Sequence, residues 1–153
     1  MSIRALCRHG MVAVPTSATL VDVATRMRDE HVGAVIVTSG PERDLRVVGI
    51  ITDRDIVRAQ LEHAADLSRL SAGDTMTSRP LMLDEHESID GAIAHLQARG
   101  VRRAPVVTAD ERPLGLVSVD DLLSQLTTTL IDVVGILGRQ SRGEPRESAG
   151  LER

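Results

Sequence analysis

The sequence predicts an α/β chain made of two copies of one β-α-β-β-α unit. Three observations predict it. The chain nearly superimposes on itself at an offset of 69 residues. Each copy passes between alternating and helical periodicity in the same order. The pattern Gly-x-x-[Ser/Thr]-x-x-Asp recurs where the last strand of each copy gives way to a helix, as GIITDRD at 49–55 and GLVSVDD at 115–121. In this register Cys7 falls on Met76, Leu20 on Ile89, Met27 on Leu96, Val32 on Val101 and Val37 on Val106. The offset then drops to 66, because the polar turn SGPERD of the first copy is three residues longer than its counterpart around ADERP.

A short alternating strand opens each copy, at 12–14 and 81–83. Thr19, with Asp22 three residues on, starts the first helix, and Leu20, Val23, Ala24 and Met27 give it an apolar stripe at i, i+3, i+4 and i+7. In the second copy Ser88 is the cap, Ile89, Ala92, Ile93 and Leu96 are the stripe, and Gly100 is the stop. Two strands follow, at 34–38 and 47–51 in the first copy and at 104–108 and 114–117 in the second. Turns rich in Gly, Pro, Asp and Glu join them. A closing helix begins after Thr52 or Ser118. These limits give one repeat over 1–61, a linker over 62–75, a second repeat with an extended last helix over 76–138, and a polar, aperiodic tail over 139–153. The last helix outruns its counterpart: Leu122, Leu123, Leu126, Leu130, Ile131, Val134 and Leu137 carry an apolar stripe that must pack on its own module or on another chain.

Composition narrows the chemistry. With 153 residues, 42% hydrophobic and 26% charged, and a net charge of -4, the chain is globular and lacks a basic footprint for nucleic acid. Phe, Tyr and Trp are absent, so no aromatic platform exists for stacking bases. All 18 basic residues are Arg, which excludes a Schiff-base lysine and a Walker-type phosphate lysine. A single cysteine excludes an intramolecular disulfide and a thiolate zinc cage. His9, His31, His63, His86 and His95 show no metal-ligand spacing, and no nucleophile elbow or Gly-rich nucleotide loop appears, so neither a metal site nor an enzyme is expected. No run approaches the ~18 apolar residues of a membrane span, and no charged-then-apolar leader opens the chain, which points to the cytoplasm.

The two Gly-x-x-[Ser/Thr]-x-x-Asp corners are the chemically suggestive feature. A hydroxyl at a helix start can donate to a phosphate oxygen, while the exposed amides of the first turn add partial positive charge. A carboxylate one turn on offers two acceptors, which suits the adjacent 2′ and 3′ hydroxyls of a ribose. The same residues at the same spacing also make a capping box, in which they satisfy the helix's own amides. Capping and binding are not exclusive.

The organisation resembles a tandem pair of CBS domains, or Bateman module, over residues 3 to about 130. The resemblance rests on the repeat, on DTMTSRP at 74–80, on VGAVIV at 32–37, on VRRAPVV at 101–107 and on the two corners. It implies two β-α-β-β-α copies packed about a pseudo-two-fold axis, with two clefts that take adenine nucleotides or related adenosyl compounds: AMP, ADP, ATP, NAD or S-adenosylmethionine. By this resemblance Thr52 and Ser118 contact phosphate, and Asp55 and Asp121 hold ribose. Ile50, Leu116, Val32, Gly33, Ala34 and Val101 flank the base or phosphates, and Arg54, Arg102 and Arg103, with Arg58 further out, are the candidate phosphate cations. Copy one has Gly33 and Ala34 where copy two has Arg102 and Arg103, so the clefts should differ in affinity. The implied protein is a regulatory sensor, a homodimer acting on an unidentified partner. It requires no cofactor, and Mg²⁺ accompanies the nucleotide where that is ATP. The alternative is a ligand-independent interaction module.

Overall fold

The computed structural model describes residues 2–7, 11–63 and 66–140. A 3₁₀ turn, Ile3–Leu6, precedes β1 (Ala13–Pro15), α1 (Leu20–Asp29), β2 (Ala34–Ser39), β3 (Arg46–Thr52) and α2 (Asp53–His63). A second 3₁₀ turn, Leu67–Arg69, leads to the short α3 (Ala72–Thr75) and β4 (Thr77–Ser78). The second copy follows as β5 (Leu83–Asp84), α4 (Ile89–Arg99), β6 (Arg103–Val107), β7 (Pro113–Ser118) and α5 (Val119–Gln140). Both opening strands lie one or two residues later than the alternation suggests. The helix α5 extends two residues into the stretch expected as tail, and 141–153 lie outside the described residues.

The repeat is visible in the pairing. A four-stranded sheet has the order β1-β2-β3-β4 and a three-stranded sheet the order β5-β6-β7. In each, the first strand runs parallel to the second and the second antiparallel to the third. Parallel strands need a helical crossover, which α1 and α4 provide. Thr19 caps α1 through a complete capping box with Asp22, and Ser88 caps α4 by accepting from the Gly91 N–H. Gly100 ends α4 in the left-handed region at φ 64°; the equivalent turn of the first copy holds His31 at φ 55°, unusual for a residue with a β-carbon.

Each sheet buries one core. Leu20, Val23, Met27, Val35, Val37 and Ile51 form the first, and Leu83, Ala92, Leu96, Val106, Val117 and Leu122 the second. The lead-in segments, however, are exchanged. Ile3 and Leu6 pack in the second core, while Leu67, Leu70, Ala72 and Met76 pack in or against the first. The exchange is reciprocal to the bond: Ile3 N–H donates to Glu87 O at 2.9 Å as Ala72 N–H does to Ala18 O at 2.7 Å. Arg4 N–H donates to Glu85 O as Gly73 N–H does to Thr16 O. Each of these partners is the other's 69-residue equivalent. The stretch expected as a linker is therefore largely packed structure. Gly49 shows how close the approach is, since a β-carbon there would lie 2.3 Å from Met76 Sδ and 2.9 Å from its Cβ.

Candidate functional site

Both strand-to-helix corners form the same local structure. Thr52 N–H and its hydroxyl both donate to Asp55 Oδ2 at 2.8 Å, and the Asp55 N–H donates back to Thr52 Oγ1 at 3.3 Å. At the other corner Ser118 N–H donates to Asp121 Oδ2 at 2.8 Å, its hydroxyl at 2.5 Å, and the Asp121 N–H returns to Ser118 Oγ at 3.2 Å. These are capping boxes, and each engages a single carboxylate oxygen, Oδ2. A carboxylate has about four lone-pair sites over two oxygens, so the cap leaves acceptor capacity on Oδ1.

The corners are held against the opposite strand by one further equivalent bond. Asp53 N–H donates to Gly33 O at 3.1 Å, and Val119 N–H to Arg102 O at 2.8 Å. The start of each helix thus lies beside the start of the second strand of its own sheet.

A cavity of about 280 Å³ brings the two copies together, with Val12, His31, Val32, Gly33 and Ala34 on one side and Arg103, Leu116, Ser118 and Asp121 on the other. Seven of these nine are residues that the sequence singles out. Val12, Val32 and Leu116 give the cavity an aliphatic part, and Arg103, Ser118 and Asp121 supply one cation, one hydroxyl and one carboxylate. Gly33 is closely approached: a β-carbon there would lie 3.3 Å from Arg103 Nη1 and 3.3 Å from Asp53 Oδ2.

The remaining predicted residues lie apart from this cavity. Thr52 and Asp55 occupy the related corner, with Ile50 buried just before it. Arg54 is exposed on the first turn of α2. Val101 and Arg102 line an apolar groove between α4 and α5, and Arg102 lies 3.8 Å from Asp120. The two residues that sequence reasoning missed, Val12 and His31, carry a faint signal. Val12 opens the first strand pattern, and His31 replaces the helix-ending Gly100 of the other copy. Among the described residues no cluster of His, Cys, Asp and Glu is arranged to hold a metal ion, and no helix is long and apolar enough to cross a membrane.

Two α/β halves related by a pseudo-two-fold, joined across a small cleft that one of the two hydroxyl-carboxylate corners lines, define a tandem-repeat α/β architecture. The profile of the CBS domain matches twice, over residues 3–62 and 72–128, and the chain belongs to the CBS domain family. Hypoxic response protein 1 of Mycobacterium tuberculosis is 29% identical over 80% of this chain and 83% of its own length. An uncharacterized protein of Methanopyrus kandleri is 26% identical over 80% of this chain, which spans only 61% of that relative. Among solved structures, a CBS domain protein from Pyrobaculum aerophilum complexed with AMP superimposes at a TM-score of 0.72, with 25% identity, covering 84% of this chain and 99% of that one.

Proposed function

We propose that the chain is a non-enzymatic regulatory module that binds an adenosyl ligand between its two repeats and passes the change in geometry to a protein contact. The observation that carries this reading is the cavity itself, where Ser118, Asp121 and Arg103 converge with the aliphatic walls Val32 and Leu116. Asp121 would accept from ribose hydroxyls through the oxygen its cap does not engage, Ser118 would face phosphate, and Arg103 would neutralise it. About 280 Å³ lies at the small end of ligand sites, which favours a mononucleotide such as AMP over ATP, NAD or S-adenosylmethionine. The AMP complex of the Pyrobaculum aerophilum relative supports the same class of ligand. Regulation requires only that the ligand prefer one arrangement of the halves, and coupling of ~1–3 kcal/mol is typical.

The complete capping boxes favour a second reading, a ligand-independent interaction module whose corners serve their own helices and nothing else. Thermal denaturation separates the two. AMP at ~100 times its dissociation constant should stabilise the native protein by about 2.7 kcal/mol. Asp121→Ala should remove most of the AMP-induced rise in midpoint, compared with the same variant lacking AMP, because the cap is lost in both measurements. A rise that survives Asp121→Ala unchanged would overturn the ribose assignment. No rise with any adenosyl compound would leave the second reading standing.

A further inference from the structure

We infer that Asp53 sets the affinity of the cavity for anionic ligands by competing with them for Arg103. The inference rests on the nucleotide reading above and adds to it a residue outside the cavity lining. Gly33 is the meeting place. A β-carbon there would lie 3.3 Å from Asp53 Oδ2 of its own repeat and 3.3 Å from Arg103 Nη1 of the other, so both charged ends reach one point beside the Gly33 backbone. Asp53 presents its second oxygen here, since Oδ1 accepts from the Arg54 N–H at 2.8 Å. Its main chain is tied to the same glycine by the bond from Asp53 N–H to Gly33 O. Thr52 and Asp55 already cap α2, so the Asp53 carboxylate is not needed for that purpose.

Arg103 is half-buried, and among the described residues no carboxylate forms an ion pair with it. A partly desolvated guanidinium without a paired anion is ready to take one. Asp121, the carboxylate that lines the cavity with it, has Oδ2 engaged by Ser118. Two anions are then left to contend for Arg103: the phosphate of a bound nucleotide and Asp53. Opposite charges at this range attract, and a ligand that takes the guanidinium must offset that attraction. The arrangement occurs once. Under the repeat Asp53 falls on Val119, Gly33 on Arg102 and Arg103 on Ala34, so the related place has neither the carboxylate nor the facing cation. Asp53 and Arg103 are charged together on the side that holds the cavity, and their equivalents are uncharged together. A restraint of this kind discriminates by charge, because it weakens nucleotides that must engage Arg103 and leaves a neutral nucleoside untouched.

Calorimetric titration of the full chain with AMP and with adenosine tests this. Asp53→Asn should tighten AMP by about 3- to 10-fold and leave adenosine unchanged. The gain should disappear when Arg103→Gln is present as well, since the contested group is gone. A second readout needs no ligand: the Arg103 Nε–H NMR signal of the free protein should shift on Asp53→Asn. AMP affinity unaltered by Asp53→Asn, an equal gain for adenosine, a gain that persists beside Arg103→Gln, or an Arg103 signal indifferent to Asp53→Asn would each overturn the competition while leaving the nucleotide reading in place. A native chain that binds neither AMP nor adenosine would overturn both.

Discussion

Asp121 serves three neighbours at once. It caps α5, faces the cavity and reaches Cys7 electrostatically. Burial pushes the Cys7 thiol above its ordinary value, the Asp121 carboxylate pushes it further, and Arg4 opposes both. The thiol is therefore protonated at neutral pH and slow to react. Asp121→Asn removes the second cause and should speed iodoacetamide alkylation at pH 7.5 by about 2- to 5-fold, read by mass spectrometry. An unchanged rate would show that burial alone controls this cysteine. Asp22 illustrates the opposite direction, because the Thr19 hydroxyl and N–H hold its carboxyl below the usual carboxylate range. A lowered folded-state value stabilises α1 above the unfolded pKa of ~3.9 and loses that stabilisation as pH falls through the folded value. An NMR titration of Asp22 should show a midpoint below that of the unfolded chain, and Thr19→Ala should move it upward.

At the level of elements, what was legible in the sequence was whatever the duplication repeats. The helix caps Thr19 and Ser88, the stripes beneath them and the two corners each appear twice, so chance matches were filtered out by position. The sequence groups the Ser118 corner with Val32, Gly33, Ala34 and Arg103, and these residues line one cavity, which the twin corner at Thr52 does not join. Other features leave no such trace. β4 is a two-residue edge strand with both side chains exposed, too short for any periodicity to register. Val101 and Arg102 match Val32 and Gly33 in sequence, yet they line the α4–α5 groove, where Val119 and Leu126 stand at the positions that Asp53 and Gln60 occupy in the first copy. The exchange of lead-in segments was hidden for a different reason. Self-similarity says which residues are equivalent, and it is silent on which half each equivalent residue packs against.

For the whole molecule, that exchange ties the stability of the halves together. Ile3 is fully buried in the second core although it opens the first repeat. Ile3→Ala should destabilise the protein by about 2–5 kcal/mol, the usual cost of emptying a large aliphatic site. Urea denaturation should remain a single transition that shifts as a unit, and hydrogen exchange should rise in α4 and β6. Loss confined to residues 1–30 would contradict the packing. Because the missing strap of each half resides in its sibling, two unlinked halves could still complete one another, but only by meeting in solution. Placing both on one polypeptide turns that encounter into a loop closure at millimolar effective concentration. The covalent tether is thus itself a stabilising device, and severing it between 63 and 66 would trade a concentration-independent fold for one that melts on dilution.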